Sequence, residues 1–341
     1  MTGGIMSRDF EREIAPARVR KALVLTELGY LLAIAGNLLF PQIAPIELSQ
    51  YRVGFLIMDM NDFYRLVLTG IIIIYLISEI CAVRLPVRRV RFVSQSRFRF
   101  ATGIALLIAD ILGTKLKVTP QPFFPGPAEI LSTYIIEPNL ILKNMLYSLR
   151  LFSVGFLLGI TLGIVTGILI GWFPKVYYWV YPVIRISGVI PAVAWMPFAL
   201  TLFPTPFAAA AFLIVITSWF PVASQTALGI QTTSKAQYEA ARTLGASTPF
   251  ILAHVAIPHA MPQVFTGIST ACAGTFTCLV MAEMMGQPGG LGYYINIVKV
   301  WSAYYKVFAA IVLMAVLFSI IIAILNLIRD YVLRWQKGQF R

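Results

Sequence analysis

Long apolar runs separated by short polar segments set the rhythm of this chain. Eight stretches stand out: Ala22–Phe40, Leu66–Val83, Phe100–Gly113, Leu151–Phe173, Val176–Phe203, Phe207–Ile230, Gln263–Ala282 and Val307–Ile328. A helix needs about 20 residues to cross the hydrocarbon core of a bilayer. Inside that core only helices and closed barrels satisfy every peptide group. The pattern predicts an all-α, polytopic membrane helix bundle of about eight transmembrane helices. The fourth, sixth and eighth stretches carry no charged residue. The third is short, contains Asp110 and is followed by Lys115 and Lys117, so a buried or interfacial helix is its alternative.

Composition agrees. Of 341 residues, 59% are hydrophobic and only 12% are charged, against a soluble average of about 25% charged. That excludes an ordinary water-soluble enzyme and a disordered chain. Cys81, Cys272 and Cys278 form neither a disulfide framework nor a CxxC pair, and His254 and His259 are the only histidines; no metal ligand set is expected. The net charge of +13 follows topology rather than nucleic acid. Basic residues gather before the first stretch, between the second and third, and after the eighth, which predicts cytoplasmic N- and C-termini in a cell membrane. The run Arg84–Phe100 has two readings, an amphipathic segment on anionic lipid or a plain topology anchor. Glu27 interrupts the first stretch and no small-x-small site follows it before Pro41, so a retained helix is expected there.

The chain divides near residue 95. Residues 1–95 predict two helices joined by an outside loop, Pro41–Arg65, and residues 96–341 predict a six-helix core. Gly155, Gly159, Gly163, Gly167 and Gly171 form a stripe at spacing four. Small residues so spaced let another backbone approach closely; packing within the bundle and contact with a second subunit are both open. Pro182, Pro191 and Pro197 break the fifth stretch, which marks a path-lining segment or a static kink. Candidate path residues on the sixth and seventh stretches are Thr217, Ser218, Gln225, Ser269, Thr275 and Thr277, with ordinary interhelical hydrogen bonds as the alternative. Ser218 and Gln225, seven apart, fall on one helical face.

The inside loop, residues 231–262, reads as two short helices. Ser234 caps Lys235–Leu244, Gly245 closes it in the left-handed region, and Ser247 or Thr248 caps a second helix with Pro249 at its first position. Tyr238, Ala241 and Leu244 are three apart and are expected to share a face, with Glu239 in the first turns, where a carboxylate suits the dipole.

Here Glu239-Ala240-Ala241, three residues, Gly245, nine residues, then Val255-Ala256-Ile257-Pro258 resembles the EAA motif of permease subunits in ATP-binding-cassette importers. Val255 and Ile257 are conservative departures from that pattern. The Pro120–Leu131 stretch, the glycine-striped helix and Met281–Ile295, with its A-E-x6-G-L-G-Y run, are similar to other parts of the same family. They look most like its nitrate/sulfonate/taurine/bicarbonate branch. The resemblance spans about residues 100–337 and leaves out the first two helices. It implies a type I importer half with these partners: a second permease copy as a homodimer, two ATPase subunits docked on a coupling helix, and an extracytoplasmic substrate-binding protein, all in membrane lipid. It also implies coupling residues Tyr238, Glu239, Ala240, Ala241, Leu244, Gly245 and Pro258. No G-x-x-x-x-G-K-[ST] loop occurs in the chain, so no cofactor is expected on it and ATP and Mg belong to the partner ATPase. A membrane enzyme lacks support from H-E-x-x-H or G-x-S-x-G motifs. A secondary transporter would not need the EAA loop and would usually carry inverted repeats.

Overall fold

A computed structural model describes residues 16–42, 51–53, 56–84, 86–120 and 122–335. The basic residues Arg8 and Arg12, Glu47 of the predicted outside loop, and Lys337 and Arg341 lie outside the described residues. The helices are α1 (Pro16–Leu39), α2 (Met60–Arg84), α3 (Pro86–Ala109), α4 (Pro127–Ile136), α5 (Pro138–Trp172), α6 (Pro174–Val189), α7 (Met196–Leu202), α8 (Pro206–Gln231), α9 (Lys235–Thr243), α10 (Thr248–Ile251), α11 (Ile257–Met284), α12 (Leu291–Val300) and α13 (Tyr304–Val332). Between α1 and α2, β1 (Tyr51–Val53) pairs antiparallel with β2 (Leu56–Met58), Tyr51 opposite Met58. Proline opens α1, α3, α4, α5, α6 and α8, where its missing N–H costs nothing and its φ is already helical.

Among the described residues six helices are long and apolar enough to cross a membrane, and seven if the bent α6–α7 segment counts as one. The third predicted span is not among them. It is the second half of a helix whose first half, from Pro86, carries the arginines, and a π-helical turn at Asp110–Lys115 prolongs it. The basic run is therefore no separate linker. Nor do the two compact units part at residue 95, which lies inside α3. One unit comprises Met1–Pro138 with Val298–Ala309, the other Asn139–Ile297 with Ala310–Arg341.

In the first unit α1 and α3 run in the same direction. Phe100 abuts Gly29, and Leu107 and Ile111 abut Gly36; α2 connects them in the opposite sense. Polar groups close one end. Asn37 donates to the Asp110 carboxylate at 2.8 Å and to Asn61 at 3.2 Å, which gives the buried Asp110 a donor in place of water. At the start of α13 the Tyr134 hydroxyl donates to the Ala309 carbonyl at 2.7 Å, and Lys306 pairs with Glu137.

The second unit is organised by the glycine stripe. A Cβ built on Gly155, Gly159, Gly163, Gly167 or Gly171 would lie 2.5, 1.8, 2.7, 2.5 or 2.9 Å from Ile214, Ser218, Val222, Thr226 and Ile230 respectively. Both series advance by four residues, so α5 and α8 run parallel with their backbones in close approach. The stripe is filled from within the chain, which settles the first of its two readings. Trp219 adds an Nε1–H bond to Thr166 Oγ1 at 2.9 Å.

Parallel neighbours need a return crossing between them. That crossing is α6–α7, bent by 101° at the break. Pro182 stays inside α6; the break falls at Ile190, whose extended backbone (φ −81°, ψ 120°) precedes Pro191. Phe203 and Thr205, each followed by proline, are extended as well. This is the steric bias that a proline ring imposes on its predecessor. The other side of α8 packs antiparallel on α11, where Gly229 meets Ala260, Gly267 meets Val222 and Gln225, and Gly274 meets Thr217.

The stripe predicts its own sensitivity. Gly159→Val or Gly167→Val forces α5 from α8 and lowers stability by about 1–3 kcal/mol, the usual range for overpacking. Gly70→Ala on α2, with nothing within 4 Å of its added Cβ, leaves stability unchanged or slightly raised. Thermal unfolding of the purified protein in detergent reads both; an equal effect at the two places contradicts this packing.

Candidate coupling site and translocation face

Beyond Gln231 the chain leaves the bundle in α9, a nine-residue helix with no buried residue. Ser234 caps its start, its side chain accepting from the Gln237 N–H at 3.3 Å. At its end the Gly245 N–H donates to the Arg242 carbonyl at 2.9 Å, and the Ala246 N–H to the Ala241 carbonyl at 3.1 Å. These two bonds form a Schellman closure, and Gly245 provides the φ of +80° that it requires. The chain then enters α10, with an extended Ser247 at the N-cap position and Pro249 in the first turn; contrary to expectation, the Ser247 side chain makes no capping hydrogen bond.

The second short helix does not end as expected. It passes through a π-helical turn at Leu252–Ala256 directly into α11. Pro258, in the first turn of α11, has no N–H to give to the turn before it. A widened turn is how a helix accommodates such a ring. The coupling segment outside the long helices is therefore shorter than residues 231–262. The two halves of the EAA pattern meet all the same: Ala256 and Ala260 are buried with Ile230, and Trp172, Leu252 and Tyr238 pack on them.

Tyr238 is the tether. Its ring stands edge-on to Trp172 at 5.7 Å between centroids, and its hydroxyl donates to the Ile230 carbonyl at 3.3 Å. Ala241 is half-buried; Glu239, Ala240 and Gly245 are exposed. Leu244 does not share the face of Tyr238, being 88% exposed. Two steps of three residues turn a helix through about 600°, so they land about 120° from the start. Glu239 is the fifth residue of α9, in its second turn, and no acidic residue occupies the first; the dipole has little hold on it there. Phe250 and His254 stack at 4.2 Å between centroids.

The candidate path residues fall into two groups. Ser218 and Thr275 are fully buried. Ser218 packs on Gly159 and donates to the Ile214 carbonyl at 2.8 Å; it lines no open wall. Thr217 and Gln225 face the glycines of α11. Sharing one face with Gln225 did not expose Ser218, because both lie under neighbouring helices. Ser269 and Thr277 are exposed, as are Thr266, Thr270, Ala273 and Gly274 between and beside them. That makes one small, hydroxyl-rich face on α11.

A polar junction at the other end of α11 joins its A-E-x6-G-L-G-Y run to α5. Glu283, fully buried, accepts from the Gly292 N–H at 2.8 Å. Asn144 and Ser148 of α5 accept from the Gly290 and Leu291 N–H groups at 3.0 and 2.8 Å. Three consecutive N–H groups at the start of α12 are thus satisfied by side chains of α5 and α11. Tyr147 donates to Gln287, which in turn donates to the Pro206 carbonyl. Nothing but the spacing of polar residues on α5 pointed to these partners.

Parallel glycine-packed helices, a return crossing bent at prolines and a small capped helix carried outside the bundle are the build of a multi-pass membrane transport component. The chain belongs to the family of binding-protein-dependent transport system inner membrane components, whose model matches residues 159–338. It is therefore a permease subunit of an ATP-driven importer; ATP hydrolysis in such systems lies on a separate chain, and a binding protein serves the complex. The nitrate import permease protein NrtB of Synechococcus elongatus is 29% identical over 58% of this chain and 71% of its own length. A protein of Bacillus subtilis described provisionally as the aliphatic sulfonates transport permease SsuC is 29% identical over 69% of this chain and 86% of its own length. A chain of the inward-facing MetNI methionine ABC transporter aligns with a TM-score of 0.48 at 22% identity, covering 57% of this chain and 98% of that one.

The tether is testable by hydrogen exchange. Tyr238→Ala removes the ring from Trp172, and amide exchange over residues 239–244 rises by about tenfold, the equivalent of roughly 1.4 kcal/mol of lost contact. Leu244→Ala leaves that exchange unaltered. Equal rates in Tyr238→Ala and wild type contradict the tether.

Proposed function

We propose that this chain provides half of a translocation path for a small, anionic solute, that a second copy of the same chain provides the other half, and that α9 is the coupling helix on which an ATPase subunit sits. The observation that carries the reading is α9 itself. It is a rigid helix, capped at both ends and tethered by Tyr238, that presents Glu239, Ala240 and Leu244 outward. An exposed leucine beside alanines on a short helix suits a groove on a partner protein. One such helix per chain, with two ATPase subunits in the complex, supports a homodimer. Pro258 acts at a distance, by shaping the turn beneath Tyr238.

The solute class rests on the cargoes in the names of the two relatives and on the hydroxyl-rich face of α11. Ser269 and Thr277 are the path residues on that face; Ser218 and Thr275 are fully buried and line no open wall. An extracytoplasmic binding protein delivers the solute. The α9 end faces the cytoplasm, together with both termini, as the distribution of basic residues supports. ATP and Mg are held by the partner.

Two variants test the coupling role. Gly245→Val strains the closing turn by about 1 kcal/mol or more, and Glu239→Arg reverses charge at the exposed face. Both are expected to keep membrane abundance while ATPase recovery on the purified permease falls by roughly 30-fold, the affinity lost with one contact worth about 2 kcal/mol. Loss of abundance in proportion to lost transport, with full coupling in the surviving molecules, contradicts the reading. The mass of the intact complex tests the homodimer; one permease chain per two ATPase subunits overturns it.

A further inference from the structure

The first unit carries a groove that the transport reading leaves without a role. It lies between α1 and α3, has a volume of about 460 Å³ and is lined by Lys21, Ala22, Leu25, Val93, Ser96 and Arg97 among others. Its floor is apolar, built where Val19, Ala22 and Leu23 pack on Phe92. Its rim is cationic. Lys21 and Arg97 are exposed, and neither enters an ion pair among the described residues. No carboxylate lines it among the described residues: α3 has none in its sequence, and Glu27, the one acidic residue of α1, lies six positions beyond Lys21 and outside the lining.

Depth in the bilayer narrows the occupant. The membrane-crossing part of α1 begins at Val19, so Lys21 stands where hydrocarbon gives way to headgroups. From there Val24, Leu28, Leu31 and Leu32 run along α1 with 63%, 45%, 52% and 40% of their surface exposed. Two cations at headgroup depth with no ion-pair partner among the described residues, above an apolar wall continuing into the hydrocarbon, complement an anion that carries acyl chains.

We propose that this groove is a binding site for an anionic phospholipid, with the phosphate between Lys21 and Arg97 and an acyl chain along Leu25 and Leu28. The site ties the α1–α3 pair to lipid of one charge class and is independent of the coupling function. Each basic residue close to an anionic headgroup contributes about a factor of five, so losing both weakens binding roughly 30-fold.

The experiment uses the full chain in mild detergent with defined mixtures of phosphatidylglycerol and phosphatidylcholine, read by native mass spectrometry. Phosphatidylglycerol adducts are expected to exceed phosphatidylcholine adducts, to fall roughly 30-fold in K21Q/R97Q, and to persist in K21R/R97K and in the control K175Q/R185Q, altered on α6. Millimolar inorganic phosphate is expected to leave the adducts in place. Equal retention of the two lipids, equal retention in wild type and K21Q/R97Q, or displacement by free phosphate overturns the site. Should K21Q/R97Q fail to fold, K21Q alone carries the same test at about a fivefold loss.

Discussion

The close approach of α5 to α8 is the contact from which the transport core is built. Five glycines at spacing four meet five residues at spacing four, and every pair leaves no room for a Cβ. Without a hydrophobic drive between helices in lipid, this intimacy of packing is the main force available. It also dictates direction. Two parallel helices joined in sequence require a return between them, and the return is the bent α6–α7 segment. With α5 on one side of α8, α11 takes the other, so its glycines 267 and 274 meet side chains of α8 as α8 meets those of α5.

The same contact supports α9. Trp172 closes α5 and Ile230 lies near the end of α8, side by side at the last step of the stripe, where Gly171 meets Ile230. Tyr238 rests on both, through ring packing and a hydrogen bond. α9 is thus fixed to the ends of two helices held along their length. Ser234 and the Gly245 closure satisfy terminal peptide groups of α9, so it keeps its shape with no residue of its own buried. Helices this short are marginal by themselves, which is why caps and tether matter more here than in the long spans.

Much of this was legible in the sequence, for physical reasons. Apolar runs of twenty residues have one backbone solution in a bilayer, so α1, α2, α5, α8, α11 and α13 followed from hydropathy. The caps of α9 followed from Ser234 and Gly245 because each has a local steric or hydrogen-bonding cause. What depends on a partner distant in sequence did not follow. The stripe announced a close neighbour without saying which, and α8 answered it. Pro191 announced a break but not an angle of 101°. Ser218 and Ser269 looked alike as polar residues in apolar helices, yet one is sealed under Gly159 and the other is exposed. The junction of Glu283 with Asn144 and Ser148 joins residues well over a hundred positions apart, beyond any local pattern. The arginines of α3 concealed that it continues as one helix into Asp110.

Site-specific photo-crosslinking in membranes containing the whole complex tests the central claim most directly. A photoreactive side chain at position 244, outward on α9, is predicted to form an adduct with the ATPase subunit, and one at position 238, inward against Trp172, is predicted to crosslink within the permease. Adducts to the ATPase from both positions, or from neither, would contradict an α9 that is held by Tyr238 and offered by Leu244.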